Sequence, residues 1–252
     1  MSRGEDGTGL SALPQPALPR VGRRAASREG GEAFPPLYRA VRAACAPVLR
    51  SLFRLDVSGL EHLPASGPFI VASNHHNYLD GVVLAVAVPR PIAFLVMPRV
   101  YQASPLHPPF HRAIGSIAID VEAPDPGAIK RALRALRDGR IIGIFPEGPF
   151  SHEGRLVPGQ PGVAVIALRA GVPVVPAAIH GTYEALTRRR FHLPRPYPLS
   201  VRFGRPLSFA PGRARAVSRG ARDEATRAVM SAIAAMLDEM PAPSGRRPPA
   251  AS

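Results

Sequence analysis

Short, largely apolar segments alternate along this sequence with stretches of helical character, and that alternation constrains the fold more than any other feature. The segments "FIVAS" (Phe69–Ser73), "IAFLVM" (Ile92–Met97), "GSIAIDV" (Gly115–Val121), "RIIGIF" (Arg140–Phe145), "VPVVPAAI" (Val172–Ile179) and "LSVRFG" (Leu199–Gly204) read as strands. Between them, "DGVVLAVAV" (Asp80–Val88) and Gly162–Arg169 read as helices. "DPGAIKRALRALRDG" is a helix with its punctuation written in. Asp125 caps it, Pro126 takes the first helical position, Ile129, Leu133 and Leu136 keep helical spacing, and Gly139 ends it. A last amphipathic helix carries Val229, Ile233, Met236, Leu237 and Met240. The pattern predicts an α/β fold: one domain, with a mixed sheet flanked by helices.

The 252 residues suffice for one sizeable core. Residues 1–35 and 241–252 are rich in Gly, Pro, Ser and Arg with little apolar periodicity, and read as disordered tails. The folded part begins with "LYRAVRAACAPVLRSLFR", a basic amphipathic helix over 36–54. Its expected apolar face is Leu37, Val41, Ala44, Cys45, Val48 and Leu52, with Arg39, Arg42, Arg50 and Arg54 opposite, and Pro47 should kink or divide it. Such a helix either lies on an anionic membrane surface or packs on the core. The net charge of +14, nearly all arginine since Lys130 is the only lysine, suits an anionic partner. A nucleic acid is not expected, because no basic stripe with interleaved aromatics is present. Cys45 stands alone, so there is no internal disulfide and no thiolate metal cluster, and a reducing compartment fits. Arg23-Arg24 is not followed by an apolar region, so secretion is not expected. The longest apolar run, Gly81–Val88, is far short of the ~20 residues a spanning helix needs.

Two strand exits carry the candidate chemistry, as is usual in α/β folds. The first is "SNHHNYLD", Ser73 to Asp80. A carboxylate in the first turn of the following helix can reach back to an imidazole just before it and orient a general base, and His75 and Asp80 have that spacing. The same residues also suit a smaller task, Asn77 as N-cap and Asp80 as a first-turn acid. His76 should point away from His75 out of an extended chain. The second exit is "FPEGPFS", where Gly148 makes a tight turn that can aim N–H groups at an anion, Ser151 adds a hydroxyl, and Glu147 reads as a buried acid. The "HPPFH" stretch has a metal-like histidine spacing, but Pro108 and Pro109 spoil its helical presentation and no third ligand is evident, so no metal is expected. His152 and His180 have no firm role.

Four ordered motifs make a resemblance specific. "VSGLEHLPASGPFIVASNH" with Asp80, then "GSIAID", "FPEG" and "VPVVPAAIHGT", closed by "VRFGRPL", resemble the glycerolipid acyltransferase family from about Leu55 to Pro206. The resemblance makes 55–240 the acyltransferase domain, with a glycerol-3-phosphate acyltransferase-like fold. It maps the family's base onto His75 and its charge partner onto Asp80, with Asn74, Glu147, Gly148 and Ser151 at substrate. It implies acyl transfer from acyl-CoA or acyl carrier protein to the hydroxyl of a lysophosphatidate-like lipid, without metal or further cofactor, by a peripheral protein on the cytoplasmic face of the membrane. It also implies a long apolar groove for the acyl chain. Two positions depart from the family's pattern: Val121 and Phe150 stand where arginines are expected for the acceptor phosphate. Arg99, Arg131 or Arg155 would have to replace them. Otherwise the acceptor carries a headgroup or lacks the phosphate, or the chain is a lipid-binding relative without activity.

Overall fold

The computed structural model describes residues 34–120, 125–148, 150–151, 154–186, 194–210 and 217–241. The expectations for the two tails, apart from their innermost residues, and for Val121, Pro149 and His152 concern positions outside these. In chain order the elements are α1 (Pro36–Ser51), β1 (Asp56–Ser58), a 3₁₀ turn (Leu60–His62), β2 (Ile70–Ser73), α2 (Tyr78–Ala87), β3 (Ile92–Val96) and α3 (Pro98–Tyr101). There follow α4 (His107–Ile114), β4 (Ile117–Ala118), α5 (Pro126–Arg137), β5 (Ile141–Ile144), α6 (Gly162–Ala170), β6 (Val174–His180), α7 (Thr182–Ala185), β7 (Ser200–Phe203) and α8 (Arg219–Glu239).

The strands form one mixed sheet in the order β1-β7-β6-β2-β5-β3-β4. Every pairing is parallel except β6 with β7. β2 lies between β5 and β6, and its four residues are all buried, which is why it reads as an unbroken apolar run rather than an alternation. The pleat divides those residues between two cores. Val71 of β2 and Val175 of β6 meet Leu49 of α1 and Val83 and Leu84 of α2 on one face. Ile70, Ala72 and Val174 meet Ala132 and Leu136 of α5, Ile166 of α6 and Val229 and Ile233 of α8 on the other.

Two local expectations need correction. α1 turns a different stripe inward: Tyr38 and Leu49 are buried, whereas Leu37, Val48 and Leu52 are exposed. Tertiary bonds decide the rotation. The Ile92 N–H donates to the Tyr38 hydroxyl at 3.2 Å, and Arg42 donates to the carbonyls of Ala85 and Val86 at 3.2 and 3.1 Å. Pro47 lies within α1, which is assigned as one uninterrupted helix. In "HPPFH" the prolines open a helix instead of spoiling one. They occupy the first turn of α4, where a missing N–H leaves no hydrogen bond unmade. No group of three His, Cys, Asp or Glu able to hold a metal occurs among the described residues.

Candidate active site

The loop after β2 is organised around one oxygen atom. Asp80 Oδ2 accepts hydrogen bonds from His75 Nδ1 at 2.9 Å, from the His76 N–H at 2.6 Å and from the Asn77 N–H at 2.8 Å. Asn77 caps α2 by accepting from the Leu79 N–H at 2.9 Å, and Asp80 completes the reciprocal capping box. The two readings of the motif are therefore one device. The bonds that start the helix also fix the carboxylate that holds His75. Burial pushes the Asp80 carboxyl up, but the His75 bond, with the nearby Thr182 hydroxyl and the Asn77 amide, outweighs burial and holds it below the usual range. Ionised Asp80 can only accept, so His75 Nδ1 carries its hydrogen, and in the neutral imidazole the lone pair then belongs to Nε2. The imidazole stacks on Phe145, with centroids 3.7 Å apart and planes 7° from parallel, and meets the edge of Phe150 at 4.5 Å.

His76 turns elsewhere. Its Nδ1 faces the Thr182 hydroxyl at 3.3 Å and its ring meets Tyr183. Burial lowers its pKa, partly opposed by Asp80, so the neutral form is favoured.

The loop after β5 braces this arrangement. Glu147 is buried, and each carboxylate oxygen accepts from one backbone amide: Oε1 from His75 N–H at 2.7 Å, Oε2 from Val157 N–H at 2.8 Å. Burial pushes its carboxyl up, offset in part by those two bonds. The Ser151 N–H donates to the His75 carbonyl at 2.9 Å, and its hydroxyl donates to the Arg155 carbonyl. Asn74 ties β2 to β6, giving its amide to the Ile179 carbonyl at 2.9 Å and accepting the Ile179 N–H at 2.8 Å. Three of the four residues expected at substrate, Asn74, Glu147 and Ser151, thus have their side chains directed to backbone groups. Gly148, the fourth, borders the large cavity at φ 79°, a conformation that favours glycine. Its own N–H is committed to the Phe145 carbonyl at 3.0 Å.

His75 borders a cavity of about 1150 Å³. On the α1–α2 face its walls are apolar, including Val41, Val82, Phe94, Val96 and Ile114, and Leu106, Phe110 and Tyr78 are exposed along it. Cys45 borders it too, with its thiol pKa pushed up by burial. The candidate phosphate-binding arginines lie elsewhere. Arg131 donates to the Ala118 carbonyl at 2.8 Å and pairs with Asp125 at 3.6 Å, while Arg99 rests on Met97. Among the described residues the arginines that do border the cavity are Arg42, Arg169 and Arg222, and sequence reasoning gave neither Arg169 nor Arg222 a role at the site. His180 Nε2 lies 3.2 Å from the Leu237 carbonyl, tying β6 to α8.

Comparison with known proteins adds an independent line. A family model described as acyltransferase matches residues 54–180. The 1-acyl-sn-glycerol-3-phosphate acyltransferase of Bacillus subtilis (strain 168) is 32% identical over 142 residues, covering 54% of this chain and 70% of that protein. The chloroplastic 1-acyl-sn-glycerol-3-phosphate acyltransferase BAT2 of Brassica napus is 30% identical over 136 residues, 52% of this chain but 38% of that longer protein. The crystal structure of the 1-acyl-sn-glycerophosphate acyltransferase PlsC from Thermotoga maritima superposes with a TM-score of 0.65 at 22% identity, covering 80% of this chain and 78% of that one. At that identity the likeness speaks for the fold.

Proposed function

This chain belongs to the acyltransferase family, and from that membership we propose that it moves a fatty acyl group from a thioester donor to the hydroxyl of a 1-acylglycerol-3-phosphate-like acceptor in phospholipid synthesis. The observation that carries the reading is the His75–Asp80 pair, Nδ1 to Oδ2 at 2.9 Å, beside a large apolar cavity. His75 Nε2 takes the proton of the acceptor hydroxyl, and Asp80 stabilises the imidazolium that results. The hydroxyl oxygen attacks the thioester carbonyl, the C–S bond breaks, and His75 returns the proton to the departing thiolate. No covalent acyl-enzyme is needed. The oxyanion requires a donor other than Gly148, whose N–H is engaged, and Pro149 has none, so the Phe150 amide is the next along the turn. The apolar walls between α1, α2 and α4 suit the acyl chain.

Phe150 favours a second reading of the acceptor. Its ring lies against His75 and, at 5.0 Å, against Tyr78, at a position where the resemblance calls for a phosphate-binding arginine. A lysolipid with a headgroup, or one without a terminal phosphate, fits that aromatic surface better. Thiol release from palmitoyl-CoA with a panel of acceptors tests both. Turnover with lysophosphatidate supports the first reading, turnover restricted to headgroup-bearing or neutral lysolipids supports the second, and vesicle binding without release from any thioester donor defeats both. The exposed Leu37 and Val48 of α1 and Leu52 just past its end, beside Arg39 and Arg50, suit docking on an anionic membrane surface. No helix among the described residues is long and apolar enough to cross a membrane.

A further inference from the structure

The cavity that holds His75 also extends along α5 and α6, on the opposite face of the sheet from α1 and α2. On α6 it is bordered by Gly162, Val163, Val165 and Arg169, of which Gly162, Val165 and Arg169, three and four residues apart, share one stripe of the helix. On α5 it is bordered by Pro126 and Ile129. A second cavity of about 380 Å³ continues that wall through Lys130, Leu133 and Arg137, and Arg169 borders both cavities. The two stripes make a groove that is apolar at Ile129, Leu133 and Val165 and cationic at its far end. From Gly162 to Arg169 it follows about 10 Å of helix axis.

The far end is short of counter-charge. Arg222, from the first turn of α8, joins Arg169 along the larger cavity, and its buried Nε has no hydrogen-bond acceptor among the described residues. Lys130, Arg137 and Arg169 meet no carboxylate in the smaller cavity. The acids that border the larger one, Asp120 and Asp125, stand toward the other end of α5. Asp125 there accepts the Ala128 N–H at 2.7 Å and pairs with Arg131. Clustered guanidiniums without carboxylates are a site for phosphate groups.

We infer that this groove binds the nucleotide phosphates of a coenzyme A thioester, with Arg137, Arg169 and Arg222 as phosphate-binding residues and the pantetheine arm lying along the apolar stripes toward His75. The inference rests on the thioester-donor reading above and names the donor. An acidic carrier protein is the less suitable occupant. It brings one phosphate on its arm and docks through a broad surface, of order 800 Å² per partner, rather than into a recess between two helices.

The test measures calorimetric binding of coenzyme A and of adenosine 3′,5′-bisphosphate to the full chain, alongside kinetics. Arg137→Glu and Arg169→Glu, both exposed positions, should weaken each ligand by about tenfold or more, while His75→Ala leaves binding unchanged. The KM for palmitoyl-CoA should rise by the same factor with kcat nearly constant, and a palmitoyl-pantetheine lacking phosphates should serve native and variant proteins equally. Absence of coenzyme A binding, binding indifferent to both charge reversals, or transfer from acyl carrier protein alone would overturn the inference. Coenzyme A binding that needs Arg137 and Arg169, in a protein that transfers nothing, would uphold the groove and break the reaction assigned to His75.

Discussion

The loops after β2 and β5 look alike in sequence, each a strand exit dense in polar residues, yet the structure divides their work. The β2 loop converges its N–H groups and one imidazole on Asp80 Oδ2, leaving His75 at the cavity. The β5 loop directs Glu147 and Ser151 into the backbone of its neighbour, including the N–H and the carbonyl of His75 itself. One loop presents the candidate base and the other holds it in place. A polar residue in a motif is thus assigned by what its lone pairs already touch, not by its proximity to the chemistry.

That division can be broken in several ways. His75→Ala should lower kcat by on the order of 10³ or more, with near-UV circular dichroism unchanged. Asp80→Asn should cost on the order of 10² in kcat and about 2–3 kcal/mol of stability, because Oδ2 accepts three hydrogen bonds in a buried site. The folded Asp80 carboxyl titrates below its ordinary 3.8, so its contribution is present above that pH and is lost as pH falls through the folded value. Denaturation midpoints in acid should therefore be less pH-dependent in the Asn variant. Glu147→Gln puts an amide NH₂ opposite one of two N–H donors, and should reduce kcat by about tenfold while leaving KM for the acceptor in place. A KM effect as large as the kcat effect would mean that Glu147 touches substrate and that the two loops share one task. Ser151→Ala should cost only about 1 kcal/mol of stability, read from urea unfolding. His76→Asn should change kcat by less than about threefold. Burial lowers the His76 pKa below 6.5, so native stability should decline as pH falls beneath that value, and the Asn variant should show a shallower decline.

Much of the fold is legible because burial on both faces leaves a local signature. β2, β3, β5 and β6 are short apolar runs, and α5 carries its cap and its terminal glycine in the chain, with Asp125 accepting from Ala128 as its position predicts. β4 shrinks to two residues, and the inward stripe of α1 differs from the expected one. At ~100° per residue α1 offers two plausible stripes, and the choice rests on bonds from Tyr38 and Arg42 to residues more than forty positions away. The site divides the same way. His75 and Asp80 are five residues apart, so their meeting is written locally, whereas the partners of Glu147 are backbone amides at 75 and 157, which carry no side-chain signal. Arg137 and Arg169 look like solvated helix faces until α5 and α6 lie side by side.

The order of synthesis adds a consequence of the strand arrangement. β2, which presents His75, leaves the ribosome before its neighbours β5 and β6, which begin at Ile141 and Val174. Asn74 waits 105 residues for Ile179, and the His75 amide waits 72 for Glu147. A nascent chain therefore carries β2 unpaired until β5 follows at Ile141, and with one neighbour only until Val174, and His75 acquires its surroundings only once the loop after β5 is out. Premature stops before about residue 180 should yield aggregating fragments rather than a stray, unregulated catalyst.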